Sequence, residues 1–246
     1  MAEVYDRDGY SAGYPEGIEQ HFWNRARNSL VYRWLQPHLE EGELVMDVGC
    51  GIGLVVADLR SRGINARGVE QGAAPVFPGL EDQVQTACDL FELAPELKAE
   101  IRVIMLLDVI EHMQDSGEFL RQIASELPNC QTLLVTVPAR MELWSDYDEH
   151  WGHHLRYNRA QLRAELAASG FAPVRTAYFF HWLYLVSLLM KILRIPKGTE
   201  FTAIRPGSPG ALLHRVLGWV TRLENRLVPG VLVGSSLACI AKRVND

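Results

Sequence analysis

The stretch Glu43-Leu-Val-Met-Asp-Val-Gly-Cys-Gly-Ile-Gly53 constrains the fold more than any other part of the chain. Leu44 to Val48 is a short apolar run with the length of a buried strand, and Leu54 to Arg60 reads as the opening of a helix. Between them the glycines let the backbone turn tightly and approach a ligand closely, while the helix N-terminus offers unpaired N–H groups and positive dipole. A strand, a glycine turn and a helix start in that order make a cradle for a nucleotide. A second apolar run, Ile64-Asn-Ala-Arg-Gly-Val-Glu70, ends in an acid about 20 residues after the first loop. A carboxylate at the tip of the neighbouring strand can accept both hydroxyls of a ribose.

The glycine spacing selects the nucleoside. Gly49, Gly51 and Gly53 give G-x-G-x-G, whereas the dinucleotide fingerprint needs its third glycine one place later, where this chain has Leu54. The pattern Asp47-Val-Gly49-Cys50-Gly51-Ile-Gly53 instead resembles the first motif of class I S-adenosylmethionine-dependent methyltransferases. The resemblance implies S-adenosylmethionine as cofactor, with Asp47 toward its methionine end, the loop from Gly49 through Cys50 and Gly51 to Gly53 around it, and Glu70 with Gln71 at its ribose. Arg27, twenty residues before Asp47, stands where the family's covering helix supplies an arginine to the cofactor carboxylate. Read without the resemblance, Phe22, Trp23, Leu30 and Trp34 are equally a core face, with Arg27 a solvated neighbour.

From Glu43 onward the chain alternates. Strands are predicted at Leu44–Val48, Ala66–Glu70, Gln83–Cys88, Ile101–Leu107 and Thr132–Val137, and helices at Leu54–Ser61, Glu92–Ala99 and Ser116–Leu127. Apolar strands alternating with helices indicate an α/β fold with a doubly wound, mostly parallel sheet covered on both faces. The helix Asn158–Ser169 has an N-cap asparagine and a stop at Gly170. Phe171–Phe180 and Ser235–Lys242 then supply the antiparallel edge that the family layout implies, giving seven strands. A helix is predicted before the first strand, from Ile18 through Leu39. The glycines and prolines of Gln71 to Leu80 leave little helix between the second and third strands. The chain therefore divides into an N-terminal segment with a covering helix (1–42), a cofactor-binding core (43–180), an inserted helical segment (181–230) and a last core strand (231–246).

Two more stations fall outside the carboxyl ends of strands, where ligands bind in such sheets. Asp89 and Leu90 follow the third strand, and the resemblance assigns the acid there to the adenine amino group. Leu107-Asp108-Val-Ile-Glu111-His112 follows the fourth and resembles the family's D-x-x-E-H signature, with Leu107 packing against the cofactor and Asp108 beside it. After the fifth strand, 137–157 is dense in polar and aromatic residues and resembles a branch of bacterial methyltransferases found among polysaccharide and lipid-carrier functions. A loop at this place passes over the site, where an acceptor lies. Trp23, Trp144, Arg156 and Tyr157 are the residues expected to bind the acceptor.

Methyl transfer from a sulfonium is an in-line displacement, so positioning supplies most of the help. A hydroxyl acceptor must also lose a proton, and histidine is the side chain best suited to take it near neutral pH. His153 is the expected base or orienting group, with His150 beside it and His112 in reserve. The same histidines are as readily read as satisfying loop backbone groups. The dense H-x-x-H-H of His150, His153 and His154 is not read as a metal-binding helix, so no metal is expected.

The remaining features bound the setting. The chain of 246 residues carries a net charge of −6, which disfavours nucleic acid as a partner. The four cysteines, Cys50, Cys88, Cys130 and Cys239, fall singly, as reduced core residues do. No basic segment followed by an apolar one opens the sequence, and a cytoplasmic setting is expected. The segment His181 to Gly230 has a net charge of +5, leaving −11 for the rest. It carries an apolar run, Trp182–Leu193, too short to span a bilayer, and an amphipathic run, Ala211–Val228, with Arg215, Arg222 and Arg226 on its polar side. A lid on the acceptor pocket, a homodimer surface and a basic face lying on anionic lipid all remain open for it. The reading that results is an enzyme transferring a methyl group to oxygen or nitrogen of a small-molecule or lipid- or glycan-linked acceptor. An NAD(P)-dependent oxidoreductase and a non-catalytic cofactor binder are the competing classes.

Overall fold

Alternate residues of a strand point to opposite faces, so a strand apolar throughout must be covered twice. The computed structural model describes residues 13–196, 198 and 201–244 and builds such a sheet. Residues 1–12 of the predicted N-terminal loop, and Lys197 and Glu200 of the charge tally, lie outside the described residues. The strands are β1 (Leu44–Val48), β2 (Ala66–Glu70), β3 (Val84–Thr86), β4 (Ile101–Leu107), β5 (Thr132–Pro138), β6 (Phe171–Phe179) and β7 (Ser236–Arg243). They form one sheet in the order β3-β2-β1-β4-β5-β7-β6. The first five run parallel, and β7 is antiparallel to both its neighbours.

The helices are α1 (Phe22–Leu35), α2 (Leu54–Ser61), α3 (Pro95–Glu100), α4 (Ser116–Glu126), α5 (Asp146–His150), α6 (Arg159–Ala168), α7 (His181–Ile192) and α8 (Pro209–Leu227). Met46, Val48, Ile104 and Val135 share one buried cluster with Leu120 and Ile123 of α4 and Leu162 and Leu166 of α6. Val45, Met105 and Leu134 share the other with Leu30, Val31 and Trp34 of α1 and Val55 and Leu59 of α2. The sheet is thus doubly wound, as the unbroken apolar strands require.

Three boundaries differ from expectation, each for a local reason. The helix predicted over Ile18–Leu39 is divided: His21 is extended and its ring accepts the Trp23 N–H, capping α1. At the other end Pro37, which has no N–H to continue the ladder, sits in a separate 3-10 turn, Gln36–His38. The third strand stops at Thr86, because Ala87 turns to positive φ. The helix placed at Glu92–Ala99 starts only at Pro95, a residue suited to a first helical turn. The predicted helix over Asn158–Ser169 appears as α6, with Asn158 and Gln161 exchanging capping bonds and Gly170 at positive φ beyond it.

Candidate active site

The sheet order reverses direction between β1 and β4, and a cavity of about 880 Å³ lies there, over the carboxyl ends of β1, β2 and β4. It is walled by the turn after β1, the tips of β2 and β4, the loop after β3, and α1.

The turn after β1 requires its glycines. Gly49 and Gly51 both have positive φ. A Cβ at Gly49 would come within 2.8 Å of Val109, and one at Gly51 would run into the Tyr14 hydroxyl. The acid at the tip of β2 fixes this turn: Glu70 accepts the Gly51 N–H at 2.8 Å through one oxygen and the Gly72 N–H at 3.0 Å through the other. Beyond β3, Asp89 accepts the Phe91 N–H at 2.8 Å and the side-chain amide of Gln71 at 3.3 Å. Asp108, at positive φ after β4, pairs with Arg27 at 3.0 Å, and the guanidinium lies over the Trp23 ring.

Asp47 does not line the cavity. It is buried at the end of β1, and its Oδ1 has no hydrogen-bond partner. Burial pushes its pKa up to about 7, against the pull of Arg27 and with reinforcement from Glu70, both of which do line the cavity. An orphaned buried acceptor, a pre-oriented carboxylate and a cradle that a Cβ would fill together fit S-adenosylmethionine. Arg27 would meet its carboxylate and Glu70 its ribose, while Asp47, next to the lining Val48 and with Oδ1 unpaired, would have to turn that oxygen toward the cavity to meet its ammonium.

On the acceptor side the loop 138–157 is more ordered than its composition foretells. Ser145 and Asp148 form a capping box that starts the short helix α5. Asp148, wholly buried, then gathers the loop: it bonds His153 Nδ1 at 2.9 Å and accepts from Arg156 Nε at 2.8 Å. Burial alone would raise its pKa, but the bonds from His153 and Arg156 bring it down to about 2. His153 and His112 meet edge to face, with ring centroids 4.8 Å apart, and both line the cavity. Burial and the neighbouring His153 lower the His112 pKa to about 4, so its ring is neutral near pH 7. Beside them Glu111 has no exposed surface and no hydrogen-bond partner on either carboxylate oxygen. Burial and Asp108 push its pKa well above the carboxylate range.

Trp23, Arg27, Gly49, Gly51, Glu70, Gln71, Asp89, Leu90, Leu107, Asp108, His112 and His153 all line the cavity. Other expected site residues do not. Cys50 turns inward over Gly68, and Gly53 serves as the N-cap of α2. His150 is exposed and meets Trp151 edge to face, while Trp144 is tied to Glu149 on the outside of α5. Arg156 is spent on Asp148 and the Ala139 carbonyl. Tyr157 is buried in the core, with its hydroxyl on Ser116. The last two therefore hold up the loop rather than touch its contents. Tyr14, Tyr147, Trp151 and Phe201 line the cavity without having been foreseen. Tyr147 and Trp151 belong to the dense aromatic loop, which was the signal available for them; Tyr14 and Phe201 sit in stretches with no period to mark them.

The methyltransferase-domain family model matches residues 19–176, which span the cradle and both histidines of the cavity. The chain belongs to that family. The dinucleotide-type alternative has no support in this match, and the family's fold is the one observed. A solved structural neighbour is a SAM-dependent methyltransferase from Archaeoglobus fulgidus, with a TM-score of 0.54, 20% identity and coverage of 89% of this chain and 94% of that one. Another is the magnesium protoporphyrin IX methyltransferase of Synechocystis with bound SAH, with a TM-score of 0.53, 16% identity and coverage of 90% and 84%. Among curated relatives, the ubiquinone biosynthesis O-methyltransferase of Stutzerimonas stutzeri is 26% identical over 141 residues, 50% of this chain and 60% of that protein. The chain thus spans little more than half the length of the curated relatives it matches.

Proposed function

We propose that the protein transfers a methyl group from S-adenosylmethionine to a hydroxyl oxygen of a small-molecule acceptor. The observation that carries this reading is the histidine His153, fixed by a buried carboxylate through Nδ1, on the wall of the cavity that holds the cradle. The cofactor, when bound, supplies an electrophilic methyl on a sulfonium. Arg27, Asp47, Glu70 and Asp89 bind and orient it. The acceptor oxygen gains the methyl, the donor leaves as a neutral thioether, and the hydroxyl proton must go elsewhere. With Nδ1 committed to Asp148, His153 keeps Nε2 to take that proton or to fix the oxygen that loses it. The curated relatives named as O-methyltransferases support oxygen as the acceptor atom.

The test is release of S-adenosylhomocysteine with a panel of hydroxylated aromatics, against amines of the same shape. Turnover of the hydroxyl compounds, reduced about 100-fold or more in His153→Ala, is the expected result. A variant as fast as the parent would remove His153 from the chemistry. Thermal-shift titration with S-adenosylhomocysteine beside NADH separates the cofactor classes, since a ligand of the folded state alone raises the midpoint.

A lipid-borne acceptor reached from a membrane surface is the finer reading. It is supported by α7 and α8, which turn Leu189, Ile192, Leu212, Trp219 and Leu227 to solvent within the basic segment. Among the described residues no helix is long and apolar enough to cross a membrane. Such a face is instead suited to lying on one, its arginines toward anionic headgroups. The segment also reaches the site, because Phe201, between the two helices, lines the cavity.

A further inference from the structure

We propose that Glu111, His112 and His153 hold a divalent metal ion of the zinc class on the acceptor side of the cavity. One ligating atom from each of the three lies within 4.8 Å of the others. Zinc ligands bonded at about 2.1 Å sit about 3.4 Å apart, so the widest pair closes by side-chain rotation as the ion arrives.

Two independent features point to a cation. Glu111 is entirely buried with neither oxygen hydrogen-bonded, and the acids Asp108 and Asp148 lie near it, with Arg156 the only cation among its main electrostatic neighbours. A polar group in that position is costly unless something ligates it. The histidines, moreover, are braced as metal ligands are. His153 gives Nδ1 to Asp148 at 2.9 Å, and the Trp151 backbone carbonyl stands against the His112 ring. An outer carboxylate or carbonyl on the far nitrogen fixes the tautomer and aims the near nitrogen inward. The two loops that supply the ligands are tied together by the His154 N–H, which donates to the Glu111 carbonyl at 2.7 Å.

Two imidazoles and one carboxylate suit zinc, cobalt or manganese better than magnesium or calcium, which favour oxygen donors. Three protein ligands leave a position open toward the cavity that His112 and His153 line. An acceptor hydroxyl bound there would lose its proton more easily, to solvent, because with the ion in place His153 Nε2 is a ligand and fixes the acceptor oxygen through the ion instead of taking the proton itself. This deepens the methyl-transfer reading and rests on it; the ion site itself rests only on the geometry.

The experiment titrates chelator-treated protein with Co²⁺, followed by visible absorption, alongside a calorimetric titration with S-adenosylhomocysteine. A single equivalent of Co²⁺ should bind with a ligand-field band, be displaced by Zn²⁺, and bind about 10- to 100-fold more weakly in Asp148→Asn, which keeps all three ligands but weakens the outer brace on His153 together with the bonds to Arg156 and Ser145. The double variant His112→Ala/His153→Ala should lose the band yet bind S-adenosylhomocysteine as the parent does, which shows that it is folded. Parent protein that binds S-adenosylhomocysteine but no Co²⁺, or a double variant that keeps the band, would overturn the site. Protein that took cobalt but not S-adenosylhomocysteine would leave the ion site standing and remove the methyl-donor reading of the cavity.

Discussion

With almost no exposed surface and one oxygen unpaired, Asp47 holds its proton far more firmly than an ordinary aspartate, at a pKa of about 7 against 3.8. Burial is the main cause, so an ammonium brought beside it will favour the anion and expel the proton. Below about pH 7, cofactor binding should therefore release protons, and calorimetry at pH 6 should give heats that depend on the buffer's ionisation enthalpy, a dependence that vanishes near pH 9. Affinity should fall as pH drops through the same range. The sign for stability is opposite. The ligand-free fold binds more protons at Asp47 than the unfolded chain does between about pH 4 and pH 7, so this residue makes stability decline as pH rises across that window. Asp47→Asn should flatten that part of the curve, and an unchanged slope would show the charge to be paired in solution. Glu70 is the complementary case. Glu70→Gln removes the charge from an acceptor of two backbone N–H bonds, and at about 1.5–3 kcal/mol for a hydrogen bond to a charged group, S-adenosylhomocysteine should bind at least about tenfold more weakly.

At the scale of elements, sequence pattern reported what is local. Unbroken apolar strands and the turn at Gly49 and Gly51 place β1, β2, β4 and β5, and the acids at their tips follow by counting. Pattern failed where an answer depends on two distant segments meeting. Arg156 and Tyr157 look like pocket residues in a polar loop, but Asp148 and Ser116 claim them. The meeting of Glu111 and His112 with His153 is encoded in no spacing at all. Helix α8 shows the same limit. Its periodicity announces an apolar face without saying which way that face looks, and the structure turns it outward. Inward go Gly218, where a Cβ would already touch the Phe22 backbone at 3.5 Å, and Thr221, whose hydroxyl accepts from the Trp182 indole at 3.1 Å. Gly218→Leu should accordingly force α8 off α1 and cost about 1–3 kcal/mol, read as a midpoint lower by several degrees. Trp219→Asp, one place on but 59% exposed, should leave the midpoint near that of the parent. The reverse order of effects would mean that α8 seats its other face.

For the molecule as a whole, the decisive asymmetry is of charge and polarity together. The segment from His181 to Gly230 carries +5 and the remainder −11, and most of the large exposed hydrophobic residues among those described fall within or just beyond that segment. A homodimer built on this face by two-fold symmetry would bring two surfaces of net charge +5 together, with Glu200 and Glu224 the segment's only acids to offset seven Lys and Arg on each. On the proposed membrane reading, an anionic bilayer would answer both halves of the asymmetry: apolar side chains would enter the acyl boundary, arginines would meet headgroups, and the acidic body would be held toward water. Flotation with vesicles should then recover the protein with anionic lipid and not with zwitterionic lipid alone. Recovery should decline between 0.01 M and 1 M salt, as the screening length falls from about 30 Å to about 3 Å. Trp219→Asp combined with Leu223→Asp should abolish recovery while methyl release from a water-soluble acceptor continues at the parent rate, because neither residue lines the cavity. Equal recovery of parent and variant in the soluble fraction, at any lipid composition, would leave the outward apolar face without a membrane to explain it.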